Sequence, residues 1–199
     1  MDVDERRAEI AEAVFALIER GGIEQASLRN VAAESGLNIG SVRHYVESHE
    51  GMLIDAARHM GHRVSARIEA RVAEADGVYG RDLAIDLLEQ LLPLDDERRR
   101  EVVVWLAFCE RSRVVPALQR EARGLIDGSR QLARVMLAEV GVSGGALDVA
   151  VESLASLVDG LAIALVHDPE RFTAGRIREI LAGQFSLCAR WVTVASPDA

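Results

Sequence analysis

Residues 27–53 read SLRNVAAESGLNIGSVRHYVESHEGML, and the order of capping, apolar and polar residues in this stretch decides the local fold. Ser27 offers a hydroxyl to the free N–H groups of a first helical turn, so it caps a helix over Leu28–Ser35. Gly36, whose backbone enters the left-handed region without a steric penalty, ends that helix. After three residues a second short helix starts near Gly40 and runs to about Val46, and Ser48 caps a longer one. Leu28, Val31, Ala32, Leu37 and Val42 supply the small apolar interior that such a helix pair needs. What remains on the second helix is Asn38, Ser41, Arg43, His44 and Tyr45, a set of donors, acceptors and one cation. Two short helices about a Gly turn form either a DNA reader or a packed corner. The polar remainder favours the reader.

Upstream, Ile10, Val14, Leu17 and Ile18 recur at the spacing of one helical face, which predicts a helix over Asp4–Arg20 ended by Gly21 and Gly22. Downstream, the pattern predicts helices over His49–Ala75, Arg81–Leu92, Asp96–Arg111, Pro116–Val140, Gly145–Val166 and Thr173–Thr193, separated by turn and capping residues. No run of β-branched residues alternates with polar ones as a half-buried strand would. The expected fold class is therefore all-α with about nine helices: an N-terminal three-helix helix-turn-helix domain over 1–48 and a helical body over 49–199.

The chain has 199 residues, 49% hydrophobic and 28% charged, an ordinary globular balance. Its net charge of −9 argues against a protein that coats nucleic acid, because sequence-independent affinity comes from cations neutralising phosphates. Any DNA binding must be local. All 23 basic residues are arginine, a coding signature of a GC-rich genome that says nothing about mechanism. The charged start MDVDERRAEI is unlike a signal peptide, and the most apolar run, Leu154–Val166, is short and contains Asp159; no membrane partner and a cytoplasmic location are expected. Cys109 and Cys188 lie on apolar helical stretches without metal-ligand spacing and read as inert thiols. No paired carboxylates, Ser/His/Asp set or phosphate-binding glycine loop is visible, and His59 and His62 read as helix-surface residues; neither an enzyme nor a cofactor is expected.

With these motifs in view, the segment 27–53 resembles the DNA-binding region of TetR-type repressors, and SVRHY is similar to the branch that holds the BetI-type regulators. LVDGLAIAL (157–165) resembles that family's penultimate helix, and HDPERFTAGRIREIL (167–181) its final connection and helix. The resemblance implies that Ser27 and Arg29 meet phosphates, that Asn38, Ser41 and Arg43 face base edges, with Arg suited to guanine and Asn to adenine, and that His44 does either. It implies that Tyr45 bonds a phosphate through its hydroxyl and that His49 contacts the backbone. Two positions depart from the family: His49 stands where Lys is usual and Val46 where Phe is usual. The first fifty residues hold ten acids against five arginines, a balance of −5, so non-specific DNA affinity should be poor.

In the body, Leu147, Val151, Leu154, Val158, Leu161 and Leu165 form one apolar stripe, and Ile177, Leu181, Phe185 and Cys188 another with Trp191 beside it. Helices this apolar must be covered on several sides, by the chain's own core or by a second copy. The resemblance implies the second: a homodimer joined by a four-helix interface, with Leu147, Val151, Leu154, Val158, Ile177, Leu181, Phe185, Cys188 and Trp191 as interface residues. It also implies double-stranded operator DNA and a small-molecule effector as partners. Pocket candidates are Trp105, Phe108 and Cys109 with Met60, Arg63, Leu88, Leu92, Met136 and Leu161; each taken singly reads more readily as core. Glu110 beside the aromatic pair reads as a solvated carboxylate or as a counter-charge for a cationic ligand. The alternative function is a ligand-binding protein of the same fold that no longer reads DNA.

Overall fold

The computed structural model describes the backbone of residues 3–194 and the side chains of residues 3–190. Among the described residues the fold is all-helical: α1 (Val3–Gly21), α2 (Leu28–Glu34), α3 (Ile39–Tyr45), α4 (His49–Glu74), α5 (Arg81–Glu89), α6 (Asp96–Ser112), α7 (Gln119–Glu139), α8 (Ala146–His167) and α9 (Ala174–Val194). One-turn 3₁₀ segments stand at Ile23–Gln25 and Pro116–Leu118. No strand occurs among the described residues.

The caps explain where helices begin. Ser27 Oγ accepts from Asn30 N at 3.2 Å, Ser48 Oγ from Gly51 N at 2.9 Å, and Asp95 Oδ1 from Arg98 N at 2.7 Å. Thr173 Oγ1 does the same for Arg176 N at 3.2 Å at the start of α9. Two glycines make the turns around the reader, Gly22 at φ 80 and Gly36 at φ 69. Two boundaries differ from the sequence reading. α5 stops at Glu89, short of the expected Leu92, because Pro93 disfavours helical backbone before it and residues 90–92 tighten into three-residue turns. Pro116 opens a 3₁₀ turn and α7 proper begins only at Gln119.

The chain divides into two compact units. The first holds α1–α3, α4 as far as Ser65, and Arg99–Leu125; the second holds Ala66–Arg98 and the chain from Ile126 onward. In the first unit α1 packs on α2 and α3, and α2 on α3, around a core that includes Val14, Phe15, Val31, Val42, Met52, Met60, Phe108 and Leu118. The described residues of the expected reader domain 1–48 lie in this unit, together with 49–65 and 99–125 of the expected body 49–199, so the division into units does not follow the boundary at 48. In the second unit α9 packs against α5 and α8. α8 is long and apolar enough to cross a membrane by length and composition alone, but it contains Glu152 and Asp159 and buries one side in the chain's own core.

Candidate nucleic-acid interface

α3 commits one residue to the interior, Val42, with no exposed surface left. Gly40, Arg43 and His44 are exposed on the other side, while Ser41 and Tyr45 are half-buried. Tyr45 packs its ring against the core and meets His44 edge-on, with centroids 5.1 Å apart, so the ring helps to hold α3 in place. Among the described residues Arg29 and Arg43 are exposed and form no ion pair, whereas Arg20 is spent on Glu34 and Arg6 on Glu9. The hydrogen bond from Arg20 holds the Glu34 carboxyl below its ordinary range, so that carboxylate faces a cation instead of standing free near the reader. Local cations are therefore present in an acidic domain.

The geometry adds roles that spacing alone did not show. Asn38 is the N-cap of α3: its Oδ1 accepts from Ser41 N at 2.8 Å. The cap takes one of the two lone pairs of that oxygen and fixes the orientation of the amide, so an adenine contact through Oδ1 and Nδ2 has to be made from this one side-chain conformation. Gly40 suits this cap, since a Cβ there would stand 3.2 Å from Asn38 Oδ1. His49 Nε2 donates to Ala26 O at 3.1 Å and pins the start of α4 to the residue before the Ser27 cap. That nitrogen ties α4 to the turn before α2; Nδ1 of the neutral ring then carries no proton, and a bond from it to a phosphate needs the doubly protonated ring. Sequence spacing cannot reveal the bond from His49 to Ala26, which links residues remote in the chain.

Behind the reader, Arg63 of α4 lies between two carboxylates, Glu12 of α1 and Glu101 of α6, the latter 3.3 Å from Nε and buried. His59 Nε2 stands 3.5 Å from the same Glu12, and Arg100 of α6 bonds Glu19 of α1 at 2.9 Å. These pairs tie α1 to α4 and α6 within the first unit. Met60 and Phe108 belong to that unit's core, with Trp105 and Cys109 packed against it. Leu88, Leu92, Met136 and Leu161 are buried in the second unit. Glu110 is exposed and 3.4 Å from Arg113, the surroundings of a solvated carboxylate.

The interface residues named from the apolar stripes need correction. Val151, Leu154, Val158, Ile177, Leu181, Phe185 and Cys188 are buried within the single chain, and Leu147 is half-buried. A side chain already covered has almost no area left to give to a second copy. The side chain of Trp191 lies outside the described residues. The strongest stripe on each helix is the one its own core takes, and a second face is left outside, small and aliphatic on α8 and on α9 mixed with the exposed Arg176, Glu179 and Arg190. On α8 that face carries Val149 (61% exposed), Ser156, Gly160 and Ile163 (43%), and on α9 it carries Gly183 and Leu187 (44%). Ser153 Oγ accepts from Gln184 Nε2 at 2.7 Å and locks the two helices together beside it.

Known proteins resemble the chain across both units. Residues 80–186 match the family described as BetI-type transcriptional repressor, C-terminal. The HTH-type transcriptional regulator PksA of Bacillus subtilis is 32% identical over 183 residues, covering 91% of this chain and 88% of that protein. The HTH-type transcriptional regulator BetI of Burkholderia mallei is 29% identical over 171 residues, covering 82% of this chain and 84% of that one. A transcriptional regulator from Rhodococcus sp. Rha1 superposes with a TM-score of 0.78 at 27% identity, covering 92% of this chain and 96% of that one. A regulator from Saccharomonospora viridis, solved in complex with choline, has the same fold with a TM-score of 0.75 at 23% identity, covering 90% of this chain and 95% of that one. The family match spans more than half of the chain and the PksA likeness nearly all of it, so the chain belongs to the TetR family, in its BetI-type branch, and is a transcriptional regulator with no enzymatic role.

Proposed function

We propose that this regulator is a cytoplasmic repressor that binds a pseudo-palindromic operator as a homodimer and leaves it when a small organic effector binds. The observation that carries the DNA reading is that α2 and α3 each expose one cation outside any ion pair, Arg29 and Arg43, in a domain otherwise dominated by acids. Arg43 donates to a guanine edge; Ser27, Arg29 and the Tyr45 hydroxyl hold phosphates and set the register. Ser41 and His44 complete the surface that faces the groove. The outer face of α8 and α9 joins two copies, which places two readers on half-sites about one helical turn apart.

Release follows if the effector binds better to a conformation in which the helix from His49 tilts the reader out of register; the shift is limited to its differential affinity for the two states. The choline held by the Saccharomonospora viridis neighbour supports a small organic effector and makes choline the first candidate.

A gel shift on the DNA upstream of the protein's own gene tests the reading. Wild type is expected to retard the DNA, Arg43→Ala to bind at least tenfold more weakly for a loss of about 1–3 kcal/mol per bidentate contact, and Tyr45→Phe to lose less. Effector titration into the wild-type complex is expected to free the DNA. Equal retardation by wild type and Arg43→Ala would defeat the assignment of the reader.

A further inference from the structure

Beside Arg43 the reader carries a large apolar side chain that no role yet described uses. Ile39 is 42% exposed, while Leu28, Val31, Leu37, Val42 and Val46 of the same three-helix assembly are buried or half-buried. Its neighbours account for themselves: Asn38 caps α3, Gly40 leaves room for that cap, and Val42 fills the interior. Ile39 and Arg43 are separated by four residues on one helix, which sets them side by side on its surface, about 5–6 Å apart at Cβ. The pair therefore presents an aliphatic group next to a guanidinium. In a DNA major groove the one apolar group that any base pair displays is the thymine 5-methyl, and it takes aliphatic side chains as its partners.

We infer that Ile39 is a specificity residue that selects a thymine by its methyl group, within one or two base steps of the guanine read by Arg43. This rests on the DNA-reading function proposed above. An exposed isoleucine costs solvation until its surface is covered, and the methyl contact covers it only when the right base is present. Uracil differs from thymine only by this methyl, so against uracil the discrimination falls on one carbon.

The test uses the full-length chain and operator duplexes obtained by selection from random DNA. Each half-site thymine is replaced in turn, in both half-sites together, by 2′-deoxyuridine, and binding is followed by fluorescence anisotropy. For wild type, one thymine near the guanine read by Arg43 is expected to respond, with about fourfold weaker binding per half-site and about sixteenfold for the pair if the two contributions add. Ile39→Ala is expected to bind the thymine and uracil duplexes alike, and Ile39→Val to keep part of the difference. The exposure of Ile39 makes Ile39→Ala a surface change, and its folding is checked by circular dichroism. Enrichment of an operator whose affinity is indifferent to every thymine methyl, or a thymine-to-uracil ratio unchanged in Ile39→Ala, overturns the Ile39 assignment alone. A wild-type chain that enriches no sequence overturns the DNA-reading function and this inference with it.

Discussion

The outer faces of α3 and α8 are both what a helix has left after the core has taken its share, and they are opposites. α3 gives up Val42 and keeps Gly40, Arg43 and His44 outside, with Ile39 as the one large apolar side chain among them. α8 gives up Val151, Leu154, Val158, Leu161 and Leu165 and still has Val149, Ser156, Gly160 and Ile163 outside. A polar surplus suits a partner with its own hydrogen-bonding edges. An aliphatic surplus such as Val149 and Ile163 costs roughly 25 cal/mol for each Å² left in water. The small Ser156 and Gly160 between them allow another helix to approach closely. In the proposed function the two faces suit different partners: a base edge for one and a second copy for the other.

The strongest way to break this comparison is to charge the outer face of α8 and α9. Ile163→Arg combined with Leu187→Arg places like charges against each other across a two-fold axis, and the chain is expected to sediment as a monomer. Because each reader then binds alone, operator affinity should fall on the order of a hundredfold or more. A double variant that remains dimeric would move the interface off these residues. The matching change inside is Leu154→Ala, which empties space in the chain's own core. Its expected cost is about 2–5 kcal/mol of stability, read by urea denaturation at fixed protein concentration with the sedimentation behaviour unchanged. Dissociation without loss of stability would reverse the inner and outer assignments of α8.

That reversal would restore the sequence reading, which took the Leu147–Leu154–Val158 line as the pairing surface. Periodicity ranks stripes by hydrophobicity, and the most hydrophobic stripe goes to whichever surface buries most completely, here the subunit's own core. The fold itself was legible for a local reason: Ser27, Gly36 and Ser48 are chemical punctuation whose effect reaches three or four residues. Ser27 and Ser48 cap where the sequence placed them. The double use of Asn38 and the bond from His49 to Ala26 were illegible because each depends on which atom of a polar side chain is already occupied. Residue type offers a donor or an acceptor; only geometry shows whether it is still available. Arg43 was legible as a candidate base reader from its residue type, and Ile39 was not, since a sequence pattern treats any isoleucine as core.

The smallest effect probes the border of the outer face, where Asp159 sits half-buried on the flank of α8 toward α7. Burial pushes its carboxyl above the ordinary value of 3.8; Arg130 opposes the shift and Glu152 adds to it. The folded chain then holds this proton more tightly than the unfolded one. Stability from that preference is fully present below 3.8 and is lost as pH rises through the raised folded value, leaving a buried charge that costs stability at neutrality. Asp159→Asn keeps the shape without the charge. Its melting midpoint is expected to exceed that of wild type near neutrality, with the difference shrinking as the pH is lowered toward 3.8. A difference independent of pH would mean that the carboxyl is as well solvated in the folded protein as in the unfolded chain. The pairing face would then have to end on the Ser156 side of it, with water reaching between α7 and α8.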